Sequence, residues 1–309
     1  MPPLEGFLEA VVRAATPLAF AALGELIAER SGVINIGLEG SIVCGALASL
    51  VAAAAFGPSA GLLAGGLAGL AIGLIFAFFV LALRAQQIIV GAAISMLGLG
   101  LSATLHRALT AGGADLARVD TLPVMPIPGL AELPLVGPAI FSQPVTTYVL
   151  YVLFPITAFI LYRTVGGLAL RAVGEYPAAA VAAGHSPGRI RLLALCVCGF
   201  LAGIGGATLV VAQTGTFSDG MSAGRGFIAI AVVALGRWHP AGVALGVVLF
   251  GSASALQFLA QSLGWNVPYN IVLAAPYVLT LIAMAALRDS RSAPTALGRS
   301  LEGSASLGG

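Results

Sequence analysis

Hydrophobic positions in this chain neither alternate with a period of two nor gather on one stripe of a helix. They run on for about twenty residues at a time, the length a helix needs to cross a bilayer. Such runs occupy 7–28, 34–56, 59–83, 86–105, 144–165, 191–213, 240–262 and 268–288. A further run, 225–237, is short and reads as a half-helix. The runs are apolar on nearly every face, so they are not the amphipathic helices of a soluble surface. The pattern predicts an all-α, polytopic membrane bundle of about 8–10 transmembrane helices. It forms one domain over 1–288.

Three polar stretches interrupt the pattern. Residues 106–143 carry Pro123, Pro126, Pro128, Pro134 and Pro138 and predict an ordered or re-entrant cap rather than a helix. Residues 166–190 enclose a short alanine-rich helix, with Pro177 suited to its first turn and Gly184 to its C-terminal cap. The tail, 289–309, is small and polar and predicts a disordered end.

Arginine placement orients the bundle. With nine crossings and the N-terminus outside, ten arginines fall on the cytoplasmic side. Only Arg13, Arg107, Arg118 and Arg225 fall outside. The loop 106–143 is then periplasmic, and 166–190 and the tail are cytoplasmic. The start of the chain lacks a basic cluster and a small-residue cleavage site, so the first span is expected to stay as an anchor.

Composition narrows the chemistry. Hydrophobic residues make up 59% and charged residues 8%, against roughly 25% charged in a soluble domain. A net charge of +2 gives no ground for a nucleic-acid partner. All 14 basic residues are arginine. Without lysine the chain has neither a Walker A phosphate loop nor a Schiff-base nucleophile. Cys44, Cys196 and Cys198 lie in apolar runs with no His or carboxylate beside them, and read as small buried residues. His106, His185 and His239 lack metal-ligand spacing, so no metal site is expected.

Glycines recur every four residues at Gly61, Gly65, Gly69 and Gly73, and again at Gly199 with Gly203. Such stripes let helices approach closely, within one chain or between subunits. Polar residues inside spans are costly and are functional candidates. Here they are Asn35, Glu39, Gln87 and Ser95. Ser31, Asn35 and Glu39 are four apart, which places them on one face if that stretch is helical. Asn35 then serves as an N-cap with Glu39 in the first turn, or as part of a path. Glu29 and Arg30 are expected in water at the cytoplasmic surface. No span shows a ladder of Asp, Glu or His, which disfavours an ATP-independent secondary transporter or channel. No nucleophile and base sit together in a span, which disfavours an intramembrane enzyme.

Several stretches resemble one family. "AAVAAG" (Ala179–Gly184) is similar to the EAA loop of permeases in ATP-binding-cassette importers. "ERSGVINIGLEG" (Glu29–Gly40) is similar to a signature of the simple-sugar and nucleoside branch, related to ribose and branched-chain amino-acid permeases. Further matches run through 86–102, 170–184, 199–207, 222–242 and 267–281. The chain most resembles the shorter of two paired permeases that serve nucleoside importers with basic-membrane-protein-type binding lipoproteins. The resemblance implies a translocation subunit in the inner membrane of a bacterium, with no catalytic residue and no cofactor of its own. ATP and Mg would be bound by a partner ATPase. A second permease, a binding lipoprotein and membrane lipid complete the implied partners. It also implies a coupling helix that meets the ATPase through Gly174, Glu175, Ala179, Ala180, Ala183 and Gly184.

Overall fold

The computed structural model describes residues 3–113, 116, 118–134, 136–262, 278, 281–282, 285 and 293–298. The helices are α1 (Pro3–Arg30), α2 (Leu38–Phe56), α3 (Pro58–Ala77), α4 (Gln87–Ala111), α5 (Gly137–Phe141) and α6 (Val145–Arg163). They continue as α7 (Val165–Glu175), α8 (Pro177–Ala182), α9 (Pro187–Leu209), α10 (Arg225–Leu235) and α11 (Pro240–Ser262). Among the described residues six are long and apolar enough to span a membrane: α1, α2, α3, α4, α6 and α9, with α3 and α9 each extended by a wider π turn. The expected run 268–288 falls largely outside the described residues.

Helix α9 is the axis of the bundle and packs on α1, α2 and α3. Glycine explains how so many helices fit around it. A Cβ on Gly65 would lie 2.6 Å from the Ala207 Cβ, one on Gly69 would lie 2.6 Å from Gly203 Cα, and one on Gly73 would lie 3.1 Å from Gly199 Cα. The partner numbers fall as the glycine numbers rise, so α3 and α9 run antiparallel with their backbones in contact. On another side of α9, Gly45 of α2 meets Gly203 at 2.6 Å on the same measure. The glycine stripes therefore serve helix packing within the chain.

The short elements cap one end. Strands β1 (Val124–Pro126) and β2 (Ser142–Pro144) pair antiparallel, Met125 opposite Gln143, and α5 precedes β2 directly. Arg107 near the end of α4 pairs with Asp219 at 2.6 Å, tying that helix to the loop before α10. The opposite end carries Arg30, α7 and α8.

Two expectations fail at the start of α2. Residues 31–37 are not helical, so Ser31, Asn35 and Glu39 share no helix face. Gly32 takes a left-handed φ of 91°. Its N–H donates to Glu29 O (2.9 Å) and the Val33 N–H to Ala28 O (3.2 Å), a Schellman stop for α1. The chain then runs irregularly into the bundle, and α2 begins at Leu38 with Gly37, not Asn35, as its N-cap. Nor is Glu29 in water: it is buried, and so is Glu25 one turn earlier.

The tail also departs from expectation over 293–298. Ala296 is buried, its N–H donates to Gly174 O (2.9 Å), and the Gly298 N–H donates to Gly32 O (3.3 Å). Backbone groups left open at Gly32 and Gly174 give this polar segment a place to bind.

Candidate functional site

Two broken helices meet inside the bundle. Gly40, at the start of α2, packs on Gly98 of α4, the twelfth of that helix's 25 residues, so the junction lies about halfway along a span. Here α2 begins after its irregular lead-in, and here α10 begins after a loop with left-handed φ at Ala223 (47°) and Gly224 (74°). Helix α10 has only 11 residues, about 16 Å at the usual rise, which fits the half-helix read from 225–237.

Glu39 joins the two. Its Oε1 accepts from Ser222 Oγ (2.6 Å) and Gly224 N (2.9 Å), and its Oε2 accepts from Gly226 N (2.7 Å). A carboxylate on the first N–H groups of a helix satisfies donors that have no intrahelical partner and meets the positive end of the dipole. Glu39 thus caps a helix, but α10 rather than its own.

The other end of α10 is held by α1. Arg237 and Trp238 both take left-handed φ of 54°, a conformation that costs about 1–3 kcal/mol per residue and persists only where surroundings enforce it. The enforcing contacts are Trp238 Nε1 to Glu29 Oε2 (2.5 Å) and Arg30 Nε to Trp238 O (2.7 Å). Two glutamates ten residues apart therefore fasten the two ends of one half-helix.

The remaining candidates brace the lead-in. Gln87 Oε1 accepts from Ile34 N (3.0 Å), and Ser95 Oγ donates to Ile36 O (2.8 Å). Glu25 Oε1 accepts from Asn35 N (2.8 Å) and its Oε2 from Cys198 Sγ (3.4 Å). Asn35 Nδ2 donates to Cys198 Sγ (3.5 Å), so a carboxylate does lie beside this cysteine. Backbone groups stripped of helical partners in lipid must find others, and these side chains supply them. Asn35, Glu39, Gln87 and Ser95 are all buried and form one polar seam. Within it Asn35 Oδ1 has no hydrogen-bond partner. Sequence reading missed Glu25, Glu29 and Trp238. The available signal was two glutamates four apart in or beside an apolar run, hence on one helix face.

The expected coupling residues divide. Helix α8 starts with Pro177 in its first turn and ends in a Schellman motif at Gly184 (φ 83°), with His185 N donating to Ala180 O (2.9 Å) and Gly184 N to Val181 O (2.9 Å). Ala179, Ala183 and Gly184 are exposed, as are Tyr176 and Val181. Ala180 is buried beneath them, and Gly174 is buried against the Arg30 carbonyl, where a side chain has no room. Glu175 is exposed, lies 3.7 Å from Arg30, and meets Thr295 of the C-terminal segment. Among the described residues no group of His, Cys, Asp or Glu is placed to hold a metal.

This arrangement of discontinuous helices around a polar seam suits a transporter, and residues 7–287 match the family described as branched-chain amino acid transport system / permease component. The chain belongs to that family.

Relatives within it are close in length. Guanosine permease NupQ of Bacillus subtilis is 36% identical, with 92% of each chain covered. Nucleoside permease NupC of Lactococcus lactis is 32% identical, again with 92% of each covered. TsgC13 of Haloferax volcanii, assigned to a glucose ABC transporter, is 39% identical over 90% of this chain and 85% of its own. A solved ABC transporter described as metal-chelate type, in an inward-facing conformation, shares the fold with a TM-score of 0.50 and 17% identity. It covers 91% of this chain and 85% of the other. The chain is thus a multi-pass permease subunit of an ATP-binding-cassette transporter.

Proposed function

We propose that this permease imports a nucleoside, or a related purine or simple sugar, and that α8 is the handle by which a separate ATPase moves it. The observation that carries the coupling half is the exposed face of α8, started by Pro177, closed at Gly184 and held to the spans through Gly174 and Arg30. The functions named for the relatives NupQ and NupC carry the substrate half. ATP and Mg belong to the partner ATPase, and the chain itself is not an enzyme. A second permease completes the path as a heterodimer, and a binding lipoprotein delivers the ligand.

The subunit sits in the inner membrane of a bacterium with its N-terminus and the β1–β2 cap outside, and α8 and the C-terminus in the cytoplasm. Arginine placement supports this orientation, because Arg30, Arg171 and Arg191 share the end bearing α8. Asn35, Glu39, Gln87 and Ser95 border the path. Asn35, with its spare acceptor, is the one of the four we assign to the cargo. The cavity of about 410 Å³ between α1, α5, α6 and α11 is lined almost wholly by apolar groups and does not suit a ligand rich in hydroxyls.

The test is Ala183→Arg in the reconstituted importer. A bulky charge on α8 should reduce ligand-stimulated ATP hydrolysis at least tenfold, while the binding protein still takes up ligand. Normal stimulation would reject α8 as the coupling helix. Titrating nucleosides, purines and sugars against the cognate binding protein fixes the substrate class.

A further inference from the structure

At the end of the bundle that bears α8, Arg171 has no carboxylate partner among the described residues. The chain breaks direction at Thr164, whose backbone is extended (φ −115°, ψ 155°) and whose Oγ1 accepts from Gly167 N (3.1 Å) to cap α7. Helix α7 therefore starts where the apolar span α6 stops, at the depth of the membrane surface. It exposes Val165 (78%) and Leu168 (59%). Arg171 follows Leu168 by three positions, so the two are neighbours on the helix.

The Arg171 guanidinium stacks on Tyr162, its Cζ 4.8 Å from the ring centroid. Its Nε is buried without a hydrogen-bond partner. Among the described residues no carboxylate pairs with it, although Arg30 close by has Glu175. Among the described residues no hydrogen bond is made by the terminal nitrogens of Arg171. Beside Tyr162 lies the exposed ring of His239, centroids 5.0 Å apart. Its Nδ1 accepts from Ala241 N (3.3 Å), which leaves Nε2 to donate outward. Arg163, exposed, ends α6 next to Tyr162.

We propose that this corner of α6 and α7 is a binding site for an anionic phospholipid. The phosphate sits on the Arg171 guanidinium, with Arg163 and His239 at its edge, and an acyl chain lies along Val165 and Leu168. Unpaired guanidinium beside an apolar strip at membrane depth is complementary to both parts of such a lipid. Zwitterionic lipid matches the strip but adds a positive group where positive charge already gathers. Inorganic phosphate matches the guanidinium but leaves the strip uncovered.

The test uses the full chain with its partner subunits in nanodiscs of phosphatidylcholine containing one-fifth phosphatidylglycerol. Native mass spectrometry after nanodisc release counts the lipids retained. Wild type should retain phosphatidylglycerol and phosphatidylcholine in a ratio about tenfold that of the bilayer, and Arg171→Gln should bring that enrichment close to one. Arg13→Gln, which removes one charge at the opposite end of α1, should leave it unchanged. Arg171→Lys keeps charge without the planar stack and should hold an intermediate level. Inorganic phosphate at 10-fold molar excess over lipid should not displace the retained lipid. Equal enrichment in wild type and Arg171→Gln overturns the site, as does equal loss in Arg13→Gln. Displacement by phosphate would make it a soluble-anion site instead. Should Arg171→Gln fail to assemble, wild type retaining phosphatidylcholine as well as phosphatidylglycerol would still overturn the proposal.

Discussion

Replacing Glu39 by alanine should loosen α10 far more than α2, although Glu39 belongs to α2. Its carboxylate accepts three hydrogen bonds of 2.6–2.9 Å from Ser222, Gly224 and Gly226. Bonds to a charged group contribute about 1.5–3 kcal/mol each, and removing one partner of a buried set leaves the others unsatisfied. Because bonds sharing one group are not additive, a loss of about 3–5 kcal/mol is expected rather than the full sum. At 1.4 kcal/mol per tenfold, the lower figure accelerates opening of the α10 start by about 100-fold. Hydrogen–deuterium exchange on the purified chain reads this directly over 222–228. Glu39→Gln keeps the shape but sets an amide N–H₂ against N–H donors, and should fall between alanine and wild type. The reasoning fails if exchange over 222–228 stays within threefold of wild type while the first turn of α2 accelerates. That result would return Glu39 to capping its own helix.

Two other perturbations follow from the packing. Gly69→Val drives a side chain into the Gly203 backbone, 2.6 Å from where the first carbon must sit, and should cost more than about 4 kcal/mol, abolishing a monodisperse peak in size-exclusion chromatography. Gly100→Val, with nothing within 4 Å, should elute as wild type. Trp238→Phe removes the donor to Glu29 and should lower stability by about 1–3 kcal/mol in thermal denaturation, whereas adding Glu29→Leu should recover most of that loss because both polar partners then go.

Spans were legible because a bilayer demands long apolar runs, a constraint written directly into sequence. Helix α8 was legible for a local reason too: Pro177 and Gly184 mark its ends through their own backbone preferences. The seam was legible in membership but not in arrangement. Asn35, Glu39, Gln87 and Ser95 stood out as polar groups in lipid, yet the spacing of Ser31, Asn35 and Glu39 imitates a helix. What unwinds 31–37 is a set of partners far along the chain, Gln87 for Ile34 and Ser95 for Ile36, more than 50 residues away. Nothing local in the sequence announces those bonds. Trp238 was hidden for the same reason, because its partner lies 209 residues earlier. The order of 293–298 was invisible to composition, since small polar residues read as disordered until two open carbonyls, at Gly32 and Gly174, are known to await them.

That last contact has a consequence for biosynthesis. The junctions at Gly32 and Gly174 are made early, but the residues that close over them, Ala296 and Gly298, are made more than 100 residues later. A product cut short before Ala296 would insert its spans and form α8, yet present the α1–α7 corner open. The state of this corner therefore differs between a chain that carries 293–298 and one that lacks it.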